Sequence, residues 1–244
     1  MRPTPNDLSF HLFGFPIAIQ PFFWLIAALL AAVYIGRIDN MPIWIAQMLA
    51  GMAGVLLSIL VHELGHALTF RYVFRTPCAI VLHGFGGMAI PLQHYARGHG
   101  FRGMVANCFL SFSGPFAGFV LAFLLSMFLV LTLAMFPSVI EIQGDEPPTL
   151  FLFFLNWTIT ISIFWGILNL LPIYPMDGGQ IAREIFIYFF PRRGVEYSLA
   201  LSMMLAVLLA IAAFMLLGMF IIAIFFGFFA YQNYQELTGR SFWR

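Results

Sequence analysis

Long apolar runs separated by short polar breaks dominate the chain. Apolar stretches cover about 16–36 and 42–70, lie within 104–136, and recur over about 150–171, and Glu63 is the single charged residue in them. Crossing the ~30 Å hydrocarbon core takes about 20 apolar residues in a helix, so each reads as one span. No charge occurs between Glu196 and Glu236, a run that divides into two spans, about 197–216 and 219–235, broken near Leu217-Gly218. The polar turn Arg37-Ile38-Asp39-Asn40 makes a helical hairpin of the first pair. Between 71 and 102 the pattern changes: Thr76-Pro77, then Gly84, Gly86 and Gly87, then Gln93, His94, Arg97 and His99 predict short strands and an interfacial segment. An acidic loop with Glu141, Asp145 and Glu146 precedes the fourth span, and an amphipathic piece over 180–190 follows the Pro172–Gly179 break. The predicted fold is an all-α polytopic membrane protein of one domain, 1–244. It has about six transmembrane helices and a small membrane-associated β-hairpin or sheet between helices 2 and 3.

Composition sharpens this reading. Of 244 residues, 62% are hydrophobic and 9% charged, far below the roughly one quarter charged of a soluble domain. A net charge of +1 without any basic block excludes a nucleic-acid partner. Cys78 and Cys108 are too few for a disulfide framework and read as reduced structural thiols. The opening Arg2, Pro3, Pro5 and Asp7, followed by a run too long for a signal peptide, reads as leading into an uncleaved span. With six spans, ten of the eleven arginines share one side and Arg37 stands alone opposite. The positive-inside rule then makes both termini cytoplasmic.

In the second half of the second span lies His62-Glu63-Leu64-Gly65-His66, an HExxH pattern. Residues i and i+4 share a helical face, so the two imidazoles can hold one zinc while Glu63 takes a proton from water there. With six histidines in the chain, chance produces this pattern on the order of a few times per thousand such sequences. Ionisable groups inside a span are costly and therefore mark function, although interhelical hydrogen bonding is the plainer alternative. A catalytic zinc needs a third protein ligand. Asp177 is the one acidic residue between Glu146 and Glu184, and it follows the fourth span on the side where the second span ends. Its surroundings, Asn169 to Gly179, combine two helix-breaking prolines with glycines, and such backbone at membrane depth needs protein or a water-filled cavity around it.

HELGH followed by Asn169-Leu170-Leu171-Pro172-Ile173-Tyr174-Pro175-Met176-Asp177-Gly178-Gly179 resembles the site-2 protease family of intramembrane zinc metalloproteases. The likeness extends to Gly14-Phe15-Pro16-Ile17, to His83-Gly84-Phe85-Gly86-Gly87 and to Ser113-Gly114-Pro115-Phe116-Ala117. It implies one zinc on His62, His66 and Asp177, Glu63 as catalytic base, and hydrolysis of a peptide bond in or near a substrate's transmembrane segment. The implied partners are a single-span membrane-protein substrate and the lipid bilayer, with substrate choice set by the membrane part, the loops or a separate regulatory protein. The single-chain plan fits a bacterial inner membrane, and the side on which the second span ends puts the active site toward the cytoplasm. Where many members have an Asn after the Gly-Pro of the third span, this chain has Gly118, leaving Asn107, Asn156 and Asn169 as substitutes. The loop 137–149 is too short for the PDZ domain of some members and the tail after Tyr231 too short for a CBS domain, so the expectation is a minimal catalytic core.

His11, His94 and His99 read as interfacial, and His83 as either structural or a support to the metal site. A helical substrate hides its carbonyls in hydrogen bonds. Cleavable segments are therefore expected to unwind at helix breakers or to pair as an added strand with the 84–90 edge. The competing readings are a non-catalytic zinc-containing scaffold, which would not need Glu63, and a metal transporter, which would need ligands along a path across the membrane.

Overall fold

The computed structural model describes residues 7–35, 40–93, 98, 100–135, 149–216 and 218–239. The turn residues 37–39, His94, Arg97, His99, the acidic loop 136–148, and Arg2, Arg240 and Arg244 lie outside them. The chain divides into two compact units, residues up to 95 with 113–166, and 96–112 with 167–244.

The first unit opens with a hairpin, β1 (Leu8–Leu12) and β2 (Phe15–Ile19). Its two-residue turn has Phe13 at φ 51° and Gly14 at φ 76°, the left-handed pair that a right-twisted hairpin requires. Phe13 tolerates that conformation because Arg71 donates to its carbonyl at 2.8 Å and lies 3.5 Å over the Phe15 ring. Two helices follow, α1 (Pro21–Ile35) and α2 (Met41–Tyr72), then a second hairpin, β3 (Cys78–His83) and β4 (Gly86–Pro91). β2 pairs parallel with β3, so all four strands form one sheet in the order β1-β2-β3-β4. Alternate residues Phe15, Ile17 and Ile19 of β2 and Cys78, Ile80 and Leu82 of β3 are buried, and β3 and β4 pack against α2.

The hairpin expected between the second and third helices is present as β3–β4, but the sheet also recruits the segment before α1. The first span expected from hydropathy, about 16–36, begins inside that segment. Hydropathy cannot separate a short apolar strand from the end of a helix, and Phe15–Ile19 is a strand closed by Gln20-Pro21. Helix α1 is therefore 15 residues, about 22 Å.

Helix α2 begins at an Asn40 cap, whose side chain accepts from the Ile43 amide at 3.3 Å. It packs on α4 (Leu150–Asn169) through a polar ladder. The Trp157 indole donates to the Gly51 carbonyl at 2.9 Å, and the Ser162 hydroxyl lies 2.9 Å from the Ser58 hydroxyl. Between these rungs a Cβ on Gly54 would stand 2.8 Å from the Thr158 hydroxyl and 3.0 Å from the Trp157 ring. Small and hydroxyl residues thus replace hydrophobic drive, which is absent between helices in lipid. From residue 113 onward α3 (Gly100–Met135) also belongs to this unit.

The second unit contains the start of α3, α5 (Asp177–Phe189), α6 (Gly194–Met215) and α7 (Phe220–Leu237). The uncharged run between Glu196 and Glu236 does break: α6 ends at Met215, α7 begins at Phe220, and Gly218 has φ 63°. Among the described residues four helices, α2, α3, α4 and α6, are long and apolar enough to cross a membrane, which makes the chain a multi-pass membrane protein.

The ladder predicts a ranking. Ser162→Ala should cost about 0.6 kcal/mol, the usual worth of an interhelical hydrogen bond in a membrane protein. Gly54→Leu, which wedges α2 from α4, should cost about 1–3 kcal/mol. Unfolding in mixed micelles measures both, and a leucine variant no worse than the alanine one would contradict the close approach.

Candidate metal centre

His62 and His66 lie one turn apart in the second half of α2, at 2% and 8% exposure, with Glu63 at 3%. Their Nε2 atoms face each other at 3.3 Å, and the rings are inclined at 73°. Two imidazole nitrogens at a tetrahedral angle about zinc, each about 2.05 Å away, stand about 3.3–3.4 Å apart. The pair is thus spaced as two corners of a zinc tetrahedron. A carboxylate oxygen of Glu63 completes a group whose ligand atoms all lie within 4.8 Å of one another. Three ionisable side chains this deep would be expensive without a countercharge, and a divalent cation supplies one. The donor chemistry fits zinc.

Neighbouring backbone is shaped to admit these side chains. On α3, a Cβ at Gly114 would overlap His66 Nε2 and stand 2.7 Å from His62 Nε2. A Cβ at Gly65 would run into the Ser113 carbonyl, so α2 and α3 touch backbone to backbone beside the pair. On β4, a Cβ at Gly87 would stand 2.7 Å from the Glu63 carboxylate. The edge strand's main chain therefore lies directly against Glu63. The sequence marks Gly87 and Gly114 only as members of glycine-rich motifs; their contacts with the site are findings of the fold.

Asp177 lies in the second unit, at the first residue of α5, buried at 7%. Met176 occupies the cap position without a side-chain cap bond, and Asp177 is the acidic residue of the first turn. Among the asparagines, Asn107 donates to Glu184 at 3.0 Å, a pairing that sequence did not signal. Asn156 donates to the Leu152 carbonyl of its own helix at 3.1 Å, and Asn169 ends α4. His11 sits exposed on β1. Burial pushes the Cys78 thiol up to about 11, with Arg71 opposing in part, and its Sγ rests 3.6 Å from the Ala67 carbonyl, as an inert thiol should.

A buried two-histidine, one-glutamate cluster on a spanning helix, with sheet backbone alongside, defines the class: a polytopic membrane protein with an HExxH metal centre. The chain belongs to peptidase family M50, whose model matches residues 50–211. It is 28% identical over 173 residues to Rip3, named as a candidate zinc metalloprotease, from two strains of Mycobacterium tuberculosis. That match takes in 70% of this chain and 39% of the relative, so the chain spans about two-fifths of the length of the curated relatives it matches. It shares the fold of the site-2 protease from Methanocaldococcus jannaschii, with a TM-score of 0.56, 20% identity and 95% of each chain covered.

Two predictions follow from the site's geometry. Gly114→Ala should weaken zinc binding by about ten- to a hundredfold, the usual effect of disturbing a ligand's support, with helix content unchanged in circular dichroism. Normal zinc affinity in that variant would show that the glycine cradle is irrelevant. His83, at the end of β3, accepts the Phe85 amide at Nδ1 (3.2 Å), and burial lowers its pKa. Only the neutral ring can accept. The unfolded chain, titrating at about 6.5, binds the proton first on acidification, so this contribution is complete above about 6.5 and fades as pH falls toward the lower folded value. Protection of the Phe85 amide from hydrogen exchange should fall over that interval, and should be low and pH-independent in His83→Ala.

Proposed function

We propose that the chain is an intramembrane zinc metalloprotease that hydrolyses a peptide bond in or near the transmembrane segment of a single-span membrane protein. The observation that carries this reading is the Nε2 pair of His62 and His66 at 3.3 Å, buried in a spanning helix with Glu63 beside it. His62, His66 and Asp177 would hold the metal; Asp177 is assigned from its motif and its burial at the start of α5. When bound, zinc makes water a stronger acid and polarises the scissile carbonyl.

The remaining steps belong to the protein. Glu63 takes a proton from the attacking water as the C–O bond forms, then delivers it to the amine nitrogen as the C–N bond breaks. Burial in an apolar helix keeps bulk water from competing for that proton. The β4 main chain beside Glu63 offers an extended substrate segment a strand to pair with. A structural zinc would not need a carboxylate within 4.8 Å of its ring ligands, and transport would need donors beyond this one-turn cluster.

We place the protein in a bacterial inner membrane with six spans, the shorter α1 and α7 included. Both termini and the site face the cytoplasm, because Arg71, Arg75, Arg102, Arg183, Arg192 and Arg193 then share the cytoplasmic side. A separate protein would regulate access.

Zinc content per purified chain and cleavage of a reconstituted single-span substrate test the reading together. Wild type and Glu63→Gln should carry about one zinc, and His66→Ala and Asp177→Ala should lose it. Glu63→Gln should lose at least about 10²-fold in rate. A folded protein without zinc, or zinc indifferent to Asp177, would overturn the assignment.

A further inference from the structure

The segment between α4 and α5 that leads into Asp177 has little backbone bonding of its own. Pro172 and Pro175 have no amide hydrogen, and the Tyr174–Pro175 peptide is cis. Its internal bonds are Ile173 to Leu171 at 2.7 Å and Met176 to Ile173 at 2.9 Å. Two kinds of contact make up the difference. Ile173 and Met176 sink into a cluster with Ala206 of α6 and Phe226, Phe229 and Ala230 of α7. Tyr174, between them, is held at each of its three handles by a different helix. Its amide donates to the Ser202 hydroxyl of α6 at 3.0 Å. Its carbonyl accepts from the Asn233 amide of α7 at 2.7 Å. Its ring lies 4.7 Å from the Arg183 guanidinium of α5, which pairs with Glu236 of α7 at 3.2 Å.

Asn233 is the unusual member. It is 1% exposed on an apolar helix, and its Nδ2 also donates to the Phe229 carbonyl at 2.8 Å. Both partners are carbonyls, so the amide can face them only with its nitrogen. A buried amide is costly in such a helix, the more so with its Oδ1 buried without a hydrogen-bond partner, and the bond back to Phe229 alone does not account for the reach to Tyr174. The apolar anchors set how deep the segment sits. Tyr174's polar handles set the orientation of its peptide planes, and so the direction in which the chain arrives at Asp177 three residues later. On the far side Gly178 and Gly179 close the loop, since a Cβ on either would overlap backbone of Leu170–Leu171 or Ile173–Tyr174.

We infer that Asn233, with Ser202 and Arg183, is a positioning residue: a latch on Tyr174 through which the last helix pair orients Asp177 for the metal. This rests on Asp177 being a zinc ligand, as proposed above. A metal site demands ligand placement within about 0.5 Å, and loss of such supports typically weakens metal affinity ten- to a hundredfold.

The test is zinc affinity by chelator competition on the full chain in detergent, with the thermal midpoint and the kcat and KM of substrate cleavage measured alongside. Asn233→Leu keeps the branching at Cγ and removes the donor, and should weaken zinc about ten- to a hundredfold and lower kcat with KM little changed. Asn233→Gln keeps a donor and should recover most of the affinity. Ser202→Ala, which removes the partner of the Tyr174 amide, should weaken zinc several-fold and serves if the leucine variant fails to fold. A merely structural role would lower the thermal midpoint and leave the folded protein's zinc affinity unmoved. If Asp177→Ala loses zinc and the Asn233 and Ser202 variants do not, the latch is wrong and the ligand assignment stands. If Asp177→Ala binds zinc as wild type does, the ligand assignment falls and the latch with it.

Discussion

Two imidazoles and a carboxylate buried in one turn of an apolar helix are the constraint on which the rest of this structure depends. Leucine at those places would cost nothing, whereas His62, Glu63 and His66 must be held, neutralised and approached closely enough to be useful. A cation addresses the charge. The protein addresses the rest by bringing backbone, rather than side chains, up to the cluster. α3 does so at Gly114 and β4 at Gly87, each position leaving no room for even one methyl group.

Close approach of that kind requires α2 to be immobile along its length. Hydrophobic attraction cannot hold it against neighbours already surrounded by lipid, so the polar rungs at Gly51–Trp157 and Ser58–Ser162 hold the stretch just N-terminal to the histidines. At the other end, Arg71 ties the last turn of α2 to the Phe13-Gly14 turn and the Phe15 ring. The HExxH turn lies between these two anchorages, and the edge strand beside Glu63 belongs to the sheet whose first hairpin Arg71 grips.

Spacing and hydropathy made a good part of this legible. His62, Glu63 and His66 declare themselves because an i, i+4 pair with an adjacent base has a chemical meaning on a helix, and the long helices declare themselves by length. Phe15–Ile19 did not, since five apolar residues beside a longer apolar run carry no helical or strand period strong enough to separate them. Gly87 and Gly114 stand in segments that carry the family resemblance, but what they permit is visible only once the opposing side chain is in place. Asn233 and Ser202 had a weak signal, as buried polar residues in apolar helices, but their partner in the Tyr174 segment is set by tertiary folding.

The candidate ligands therefore sit on two kinds of support. His62 and His66 are carried by a 32-residue helix whose orientation is shared among many rungs, so each rung contributes little alone. Asp177 follows a broken segment with two prolines and few backbone bonds, so its direction depends on a handful of contacts from α5, α6 and α7. A ligand on a long helix needs no dedicated fastening. A ligand at the end of irregular backbone does, and a buried asparagine spending both its N–H groups on carbonyls is the form such a fastening takes where water cannot provide the bonds.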